Sequence, residues 1–153
     1  MIYAHSDVSI HLHIVWSTRR RRELLDERCD EWLHDFMRDK LRALSSAPIA
    51  VGNASDHVHV LATLPPTISV ADFVKALKGA SSHAWNLRAR LRPLYWQAGY
   101  LARSVDASAI VRLKPYIERQ RHHHARNGDL VETIWEQDWS PEFASCRARE
   151  GET

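Results

Sequence analysis

The stretch Asp56-His57-Val58-His59-Val60-Leu61 sets two histidines one residue apart inside an apolar run. Successive side chains of a β-strand point to opposite faces of the sheet, so we expect His57 and His59 to project from the same face. The aliphatic residues between and after them point to the other face, into a core. The pattern therefore predicts a strand over residues 57–64, and Pro65-Pro66 prevents its continuation.

Strand and helix patterns alternate along the chain on both sides of this segment. Strand patterns cover Val8–Ser17, Ile49–Val51 and Tyr100–Val105; helical patterns cover Leu24–Leu44, Ser69–Leu91 and a last segment that starts at Asp106 or Ser108. The order β-α-β-β-α-β-α predicts an α+β fold, a ferredoxin-like antiparallel sheet with helices packed on one face. The other face carries the histidines, and we expect the final, tyrosine-bearing helix or a second subunit to lie near it.

Short local signals set the expected boundaries of these elements. Ser69, with Asp72 three residues later, is typical of a capped helix start. Gly52-Asn53 predicts a turn or bulge before the histidine strand. Pro115 removes a backbone donor, so it either kinks the last helix or lies in the first turn of a shorter one.

Composition and charge indicate an ordinary globular chain. Its 153 residues are 44% hydrophobic and 26% charged, with a net charge of +2, and we expect one domain over residues 1–153. No leader pattern or membrane-length apolar run occurs, and two distant cysteines are typical of reduced thiols, which favours a cytoplasmic protein without a membrane partner. Residues 131–143 are expected to fold back onto the body, and residues 144–153 to fray.

The histidine pair alone does not identify a metal site. Histidines on strands are commonly hydrogen-bonded structural residues, and His11-Leu12-His13 has the same form. The first and third strands are neighbours in the predicted sheet, so both pairs can share one face, and periodicity cannot choose between them. We favour core packing or support behind the site for His11 and His13.

Two residues late in the chain complete the candidate chemistry. If the segment is helical, Tyr116 and Gln120 lie one turn apart on one face. Each alone is unremarkable, since a tyrosine on an amphipathic helix is usually a packing residue. His122-His123-His124 cannot converge on one ion from a helix, because consecutive residues are about 100° apart around its axis. We interpret them as a solvated surface.

Several motifs in combination resemble those of a known family, the single-tyrosine HUH transposases. These are the small enzymes of single-strand insertion sequences and their chromosomal relatives associated with repetitive extragenic palindromes (REP). The matching pieces are His13-Ile14-Val15-Trp16-Ser17-Thr18-Arg19-Arg20-Arg21, Asp56-His57-Val58-His59-Val60-Leu61, Leu77-Lys78-Gly79-Ala80-Ser81-Ser82, Trp96 with Tyr100, and Tyr116-Ile117-Glu118-Arg119-Gln120.

The resemblance implies a role for each matching residue. His57 and His59 match the family's metal-binding pair, Gln120 the third protein ligand and Tyr116 the nucleophile, whereas His11 and His13 match the first strand. Lys78 falls in a segment associated with DNA handling. Pro115 and the segment Asn53-Ala54-Ser55, where Met-Pro is more usual before the aspartate, depart from the pattern. The resemblance also suggests a homodimer, and it leaves open whether the tyrosine helix serves the histidines of its own subunit or those of the partner.

The physical chemistry of these residue types agrees with the implied reaction. A free tyrosine has a pKa near 10, so at neutral pH forming the phenolate costs roughly 4 kcal/mol. A divalent ion bound to the attacked phosphate can offset such a cost by polarising it. Two imidazoles and one amide are neutral and leave the ion its full charge, and this ligand set suits Mg²⁺ or Mn²⁺ better than structural Zn²⁺.

Basic residues predict a DNA surface beside the site. Arg19, Arg20, Arg21 and Arg22 form the main run, and the others are Lys78, Arg112, Lys114, Arg119 and Arg121. The expected substrate is single-stranded or hairpin DNA, cut through a 5′-phosphotyrosine intermediate and rejoined. The alternatives are an HUH-type replication initiator nuclease, a domesticated and catalytically reduced hairpin-DNA-binding protein, or a plain metal-binding or interaction protein.

Overall fold

The structure, a computed structural model, describes residues 6–122. Four strands and three α-helices follow one another in it: β1 (His11–Ser17), α1 (Asp30–Ala43), β2 (Pro48–Asn53), β3 (His57–Thr63), α2 (Val70–Arg88), β4 (Leu101–Ser104) and α3 (Ala107–Glu118). Two short 3₁₀ turns, Arg19–Arg21 and Glu27–Cys29, lie between β1 and α1.

The four strands form one antiparallel sheet in the order β2-β3-β1-β4. The first and third strands are central neighbours, and Val15 is the register partner of His59. This order and the helix placement confirm the predicted ferredoxin-like α+β fold.

The larger core lies between one face of the sheet and the helices α1 and α2. Val58 and Val60 of β3 are fully buried in it, beside Trp16 of β1, Met37 of α1 and Phe73 of α2. Burial of an apolar side chain of this size contributes about 1.5–3 kcal/mol. This cluster therefore holds the layer of two helices against one face of the sheet.

The opposite face of the sheet is covered by α3. Its Leu113 and Ile117 are buried against Ala50 of β2 and Leu61 of β3, with Tyr116 partly buried beside them. Leu61 is on the same side of β3 as the two histidines, because alternate residues share a face. The final helix of the same chain therefore lies on the histidine face.

The first strand and first helix are shorter than their patterns predict. Val8 and Ile10 are exposed, at 46% and 38%, and pairing starts only at His11. The prediction of a helix from Leu24 is wrong, because Asp26 accepts a hydrogen bond from the backbone of Arg28 and forms a 3₁₀ turn first.

The predicted turn at Gly52-Asn53 is also wrong. Both residues are the last of β2, and Gly52 is the register partner of His59. The turn follows at residues 54–56, where the backbone of Ala54 donates to the carbonyl of His57 at 3.0 Å. The alternation of apolar residues was too short here to show where the strand ended.

The helix caps agree with the sequence, whereas two helix ends do not. Ser69 accepts from the backbone of Asp72, as predicted, and Asp106 caps α3. α2 ends at Arg88, so Leu91, expected on its apolar side, is 97% exposed. Pro115 is in the interior of α3, not in its first turn.

Some predictions lie outside the described residues. These are the folding of residues 131–143 onto the body, the frayed tail over residues 144–153, and the pairing state of Cys146. Among residues 6–122, no helix has the length and apolarity to cross a membrane.

Candidate functional site

The two histidines of the central motif share one buried face of β3. His57 is 3% exposed and His59 is fully buried, and their ring centroids are 5.1 Å apart at an angle of 65°. The strand alternation that predicted a common face is therefore confirmed. Two imidazoles at this separation can direct a nitrogen each toward one point.

Hydrogen bonds at the Nδ1 atoms set which nitrogen each ring presents. His57 Nδ1 is 2.7 Å from Oδ1 of Asp56, and His59 Nδ1 is 2.9 Å from Nε2 of His13. Because a carboxylate only accepts, Nδ1 of His57 carries the proton and Nε2 keeps its lone pair. We assign the same tautomer to His59, with His13 as the acceptor. Histidine ligands of metals commonly have such a partner behind them.

His13 lies directly behind the pair, as expected of a supporting residue. It is fully buried and stacked on His59, with ring centroids 5.1 Å apart and an angle of 19°. His11 is only partly buried at the start of β1. The two His-x-His motifs therefore lie in adjacent strands and have different surroundings.

Asp56 connects the site to the arginine segment, residues 19–22. Its Oδ2 accepts from Nε of Arg21 at 2.8 Å, while Oδ1 accepts from His57. Burial alone would raise the pKa of Asp56, but the hydrogen bonds from His57 and Arg21 and the positive charge of Arg21 outweigh it and lower the pKa to about 2. The carboxylate is therefore charged at neutral pH and forms an ion pair with Arg21.

α3 brings Tyr116 to the histidines of its own chain. The phenol ring stands edge-on to the His59 ring, with centroids 5.9 Å apart and an angle of 87°. Leu113 and Ile117, one turn before and one residue after, anchor the helix in the smaller core. Tyr116 is therefore held at the site by packing around it.

Gln120 is buried just past the end of α3. The helix ends at Glu118, so Gln120 follows a break at Arg119 and is not in the same regular helix as Tyr116. Its Nε2 donates to the Tyr116 carbonyl at 3.2 Å. Because that bond fixes the amide, its Oε1 is the remaining acceptor; it is buried and makes no hydrogen bond within residues 6–122.

A glycine allows α3 to come this close to the sheet. A Cβ atom built on Gly52 would be 1.8 Å from the carbonyl oxygen of Ile117, far inside contact distance. Sequence reasoning missed this role, although a glycine inside a strand is a known sign of close backbone approach. Gly52 therefore sets the height of the tyrosine helix above His59.

The donor set fits a divalent cation. Nε2 of His57, Nε2 of His59 and Oε1 of Gln120 are all buried and neutral, and imidazole nitrogens and amide oxygens are both ligand types of divalent metal ions. In the described part of the chain, no three His, Cys, Asp or Glu side chains gather as a metal site, so the glutamine would be needed as third ligand. His122 is exposed, and residues 123–124 are outside the described range.

The arginine segment begins directly after β1, at the end nearest His57. Arg19, Arg20 and Arg21 form a 3₁₀ turn, and the last two have positive φ angles of 58° and 55°. The Arg19 guanidinium is 5.1 Å from the centroid of the Tyr95 ring, a cation–π contact. Arg22 continues the segment in an extended conformation.

An open cleft of about 390 Å³ lies beside this segment. Its lining includes three cations and three aromatic residues: Arg19, Lys75, Lys78, Tyr95, Trp96 and Tyr100. Lys78 donates to the carbonyls of Gln97 and Gly99 at 2.7 and 2.8 Å, and burial lowers its pKa to about 8.

The basic residues of the last helix differ in their surroundings. Arg119 is exposed where α3 ends. Arg121, predicted to contact phosphate, instead pairs with Asp30 at the start of α1. Lys114 is 3.9 Å from Glu118 on the helix surface.

Comparison with known proteins identifies the family to which the chain belongs. The model of the family "Transposase IS200 like" matches residues 6–120. The ISDra2 transposase TnpA of Deinococcus radiodurans is 29% identical over 117 residues, which is 72% of this chain and 84% of that protein.

Two solved structures share the fold. A crystal structure of a candidate transposase from Deinococcus radiodurans R1 has a TM-score of 0.61 and 27% identity over 79% of this chain and 98% of the other. A REP-associated tyrosine transposase bound to a REP hairpin has a TM-score of 0.58 over 98% of this chain and 87% of the other; at 19% identity it supports the fold alone.

The fold and the matched residues define a transposase, an enzyme that cuts DNA and transfers strands. Within that class, the chain belongs to the IS200-like transposase family.

Proposed function

We propose that this transposase nicks and rejoins single-stranded or hairpin DNA through a 5′-phosphotyrosine intermediate on Tyr116, with a divalent metal ion held by His57, His59 and Gln120. The observation that carries the proposal is the meeting of Tyr116 and Gln120 with both histidines within one chain. The histidines belong to β3, whereas Tyr116 and Gln120 lie near the end of α3, some sixty positions later in the sequence.

The reaction is a transesterification. The Tyr116 oxygen attacks the phosphorus, its O–P bond forms, and the bond to the 3′ oxygen breaks. The phenol loses its proton, and the departing oxygen gains one to become a 3′-hydroxyl. A 3′-hydroxyl then attacks the phosphotyrosine, re-forms the phosphodiester and releases Tyr116. The covalent link conserves the phosphodiester bond energy, so no nucleotide cofactor is needed.

The residues around Tyr116 orient the reacting groups. His13 and Asp56 hold the two imidazoles with their Nε2 lone pairs directed away from those partners. Gln120 presents its amide oxygen because its NH₂ is bonded to the Tyr116 carbonyl. A bound Mg²⁺ or Mn²⁺ would polarise the phosphate and stabilise the charge that develops on it.

The arginine segment and the adjacent cleft are the proposed path of the DNA strand. Arg19, Arg20 and Arg22 supply phosphate contacts, and Tyr95 and Tyr100, 51% and 37% exposed, supply faces on which bases can stack. Lys78 carries charge into the cleft, and Arg119 extends the surface from the other side of the site. Each phosphate neutralised on a single strand should steepen the log–log salt dependence by about 0.7.

The proposed assembly is a homodimer in the cytoplasm, with residues 1–153 as a single domain. In this assembly Tyr116 serves the histidines of its own subunit, as the contact with His59 supports. A mixed dimer of His57→Ala and Tyr116→Phe subunits tests this arrangement. Own-subunit chemistry leaves both halves of the mixed dimer inactive, whereas exchange between subunits restores one site.

The deciding experiment incubates end-labelled hairpin DNA with the protein and Mn²⁺ or Mg²⁺, and looks for a covalent protein–DNA adduct on a denaturing gel. We expect an adduct with the natural chain, none with Tyr116→Phe, and little with His57→Ala, although both variants still bind the hairpin. Specific binding without an adduct in either metal would instead indicate a catalytically reduced hairpin-binding protein.

A further inference from the structure

Arg121 follows Gln120 directly and crosses to the start of α1. Its Nε and Nη2 bond both carboxylate oxygens of Asp30, the latter at 2.7 Å, and Nη2 also donates to the Leu25 carbonyl at 2.6 Å. The two side chains are only 24% and 18% exposed. This two-point geometry restricts Arg121 more than a single contact would.

Asp30 is itself held by the last residue of β2. Asn53 Nδ2 donates to Asp30 Oδ1 at 3.0 Å, and Asn53 Oδ1 accepts from His34 Nε2 at 2.5 Å. The neighbouring Gly52 is in close contact with the Ile117 carbonyl. The end of β2 therefore contacts the tyrosine helix directly through Gly52 and indirectly through Asn53, Asp30 and Arg121.

We propose that the Arg121–Asp30 pair is a positioning device that holds Gln120, and with it the end of the tyrosine helix, over the histidine pair. The effect of this pair on metal binding rests on the proposed function, because it requires Gln120 to be a metal ligand. Its effect on the docking of α3 is independent of that function. Arg121 is a positioning residue because it acts through Gln120 and does not touch the reacting atoms.

The position of Gln120 in the chain is the reason that such a device is needed. Regular α-helix ends at Glu118, so the helix hydrogen bonds do not continue unbroken to Gln120. Among residues 6–122, the core under α3 has four buried side chains, those of Ala50, Leu61, Leu113 and Ile117, and none of them follows the break. Arg121 supplies the strongest fixed contact of the described residues beyond that break.

Hydrogen–deuterium exchange of the metal-free protein tests the docking itself. In Arg121→Met we expect amide exchange in residues 107–118 to rise about tenfold or more, the scale of losing hydrogen bonds to a charged group. Exchange in β1 and α2 should stay unchanged. Unchanged exchange in residues 107–118 would overturn the proposal, whether or not the protein cleaves DNA.

Arg28→Met is the matched control. Arg28 also makes a two-point pair, with Asp26 at 2.8 and 3.1 Å, but its side chain is 87% exposed and its hydrogen-bond partner is not connected to Gln120. This variant should leave exchange in residues 107–118 as in the natural chain. An equal rise in both variants would mean that any lost arginine pair loosens the helix, and would overturn the proposal.

A Mn²⁺ titration separates positioning from general destabilisation. Arg121→Met should weaken Mn²⁺ binding about tenfold in the natural chain and have no further effect in Gln120→Ala, because the lost contact acts through Gln120. Equal weakening in both backgrounds would overturn the proposal. If the natural chain binds Mn²⁺ but forms no DNA adduct, the proposed function fails while the exchange result still decides the positioning role.

Discussion

Gly52 shows how one side chain, or its absence, sets the geometry of the site. Its strand places it opposite His59, and the Ile117 carbonyl lies where a Cβ atom would be. Gly52→Ala should therefore push α3 away from the sheet. We expect a loss of about 2 kcal/mol or more in the free energy of unfolding, and a fall in adduct formation of about 100-fold or more, since small misplacements of reacting groups are this costly.

Gly79→Ala is the control for that substitution. Gly79 is in α2, and an added Cβ would meet nothing within 4 Å. Alanine at this helical position should raise the free energy of unfolding by about 0.5–1 kcal/mol. Urea unfolding measures the change in both variants. Equal losses at positions 52 and 79 would contradict the close contact with Ile117.

His13→Leu tests whether support behind His59 matters. The substitution removes the acceptor of the His59 Nδ1 proton and leaves an apolar side chain of similar size in the core. We expect Mn²⁺ affinity to fall about 10- to 100-fold, the usual cost of losing such a partner. Isothermal titration gives the affinity, and His11→Leu, in the same strand but only partly buried, should change it little. If the His13→Leu variant bound Mn²⁺ as tightly as the natural chain, the assignment of His13 as the support of His59 would be wrong.

At the scale of single residues, the sequence predicted the shared face of His57 and His59 because strand alternation is local. It could not choose between the two His-x-His motifs, since both alternate alike and only their neighbours differ. Gly52 was misinterpreted as a turn residue, because the residue that needs its space, Ile117, is far away in sequence. Arg121 was misinterpreted for the same reason: its partner Asp30 is in another element.

At the scale of elements, α3 contains a proline in its interior. Pro115 lacks the N–H that would bond to the carbonyl four residues earlier. Pro115→Ala should restore that bond, which stabilises the helix, but it also gives the unfolded chain more conformational entropy. Because the first effect is larger, the free energy of unfolding should rise by about 1–2 kcal/mol. Urea unfolding measures the change. A less stable alanine variant would mean that the proline ring contributes more by packing than it costs the helix.

Elements were predicted well where local chemistry defines them and poorly where it does not. Ser69 and Asp106 cap their helices as side-chain chemistry dictates. The start of α1 was placed too early, because the apolar residues before Asp30 pack on the core from a 3₁₀ turn and loop. The break between Glu118 and Gln120 carries no glycine or proline that would mark it in the sequence.

At the scale of the whole molecule, the sequence predicted the order of strands and helices. It did not predict which element covers the histidine face of the sheet. The alternation showed that one face carries histidines; it left open whether the last helix or a second subunit covers it. The structure places α3 of the same chain there. That outcome depends on contacts between residues some sixty positions apart, such as His59 with Tyr116, which no local pattern contains.

The stability of the whole fold should depend on pH through Lys78. Burial lowers its pKa from 10.5 to about 8, so between these values the unfolded chain holds more protons than the folded one. The free energy of unfolding should therefore rise as pH increases from about 8 to about 10.5. Urea unfolding across this range should show a smaller slope for Lys78→Met, with Lys75→Met as the control. Equal slopes in the natural chain and Lys78→Met would contradict the burial of the ammonium group.

The central claim is that one chain gathers two imidazoles, an amide and a phenol around a single cation position. Anomalous diffraction at the manganese edge, from crystals soaked in MnCl₂, tests it most directly. The account predicts a peak bounded by Nε2 of His57, Nε2 of His59 and Oε1 of Gln120 from the same chain, with Tyr116 beside it. No peak at these atoms under conditions where the protein forms its DNA adduct, or a peak on other residues alone, would contradict it.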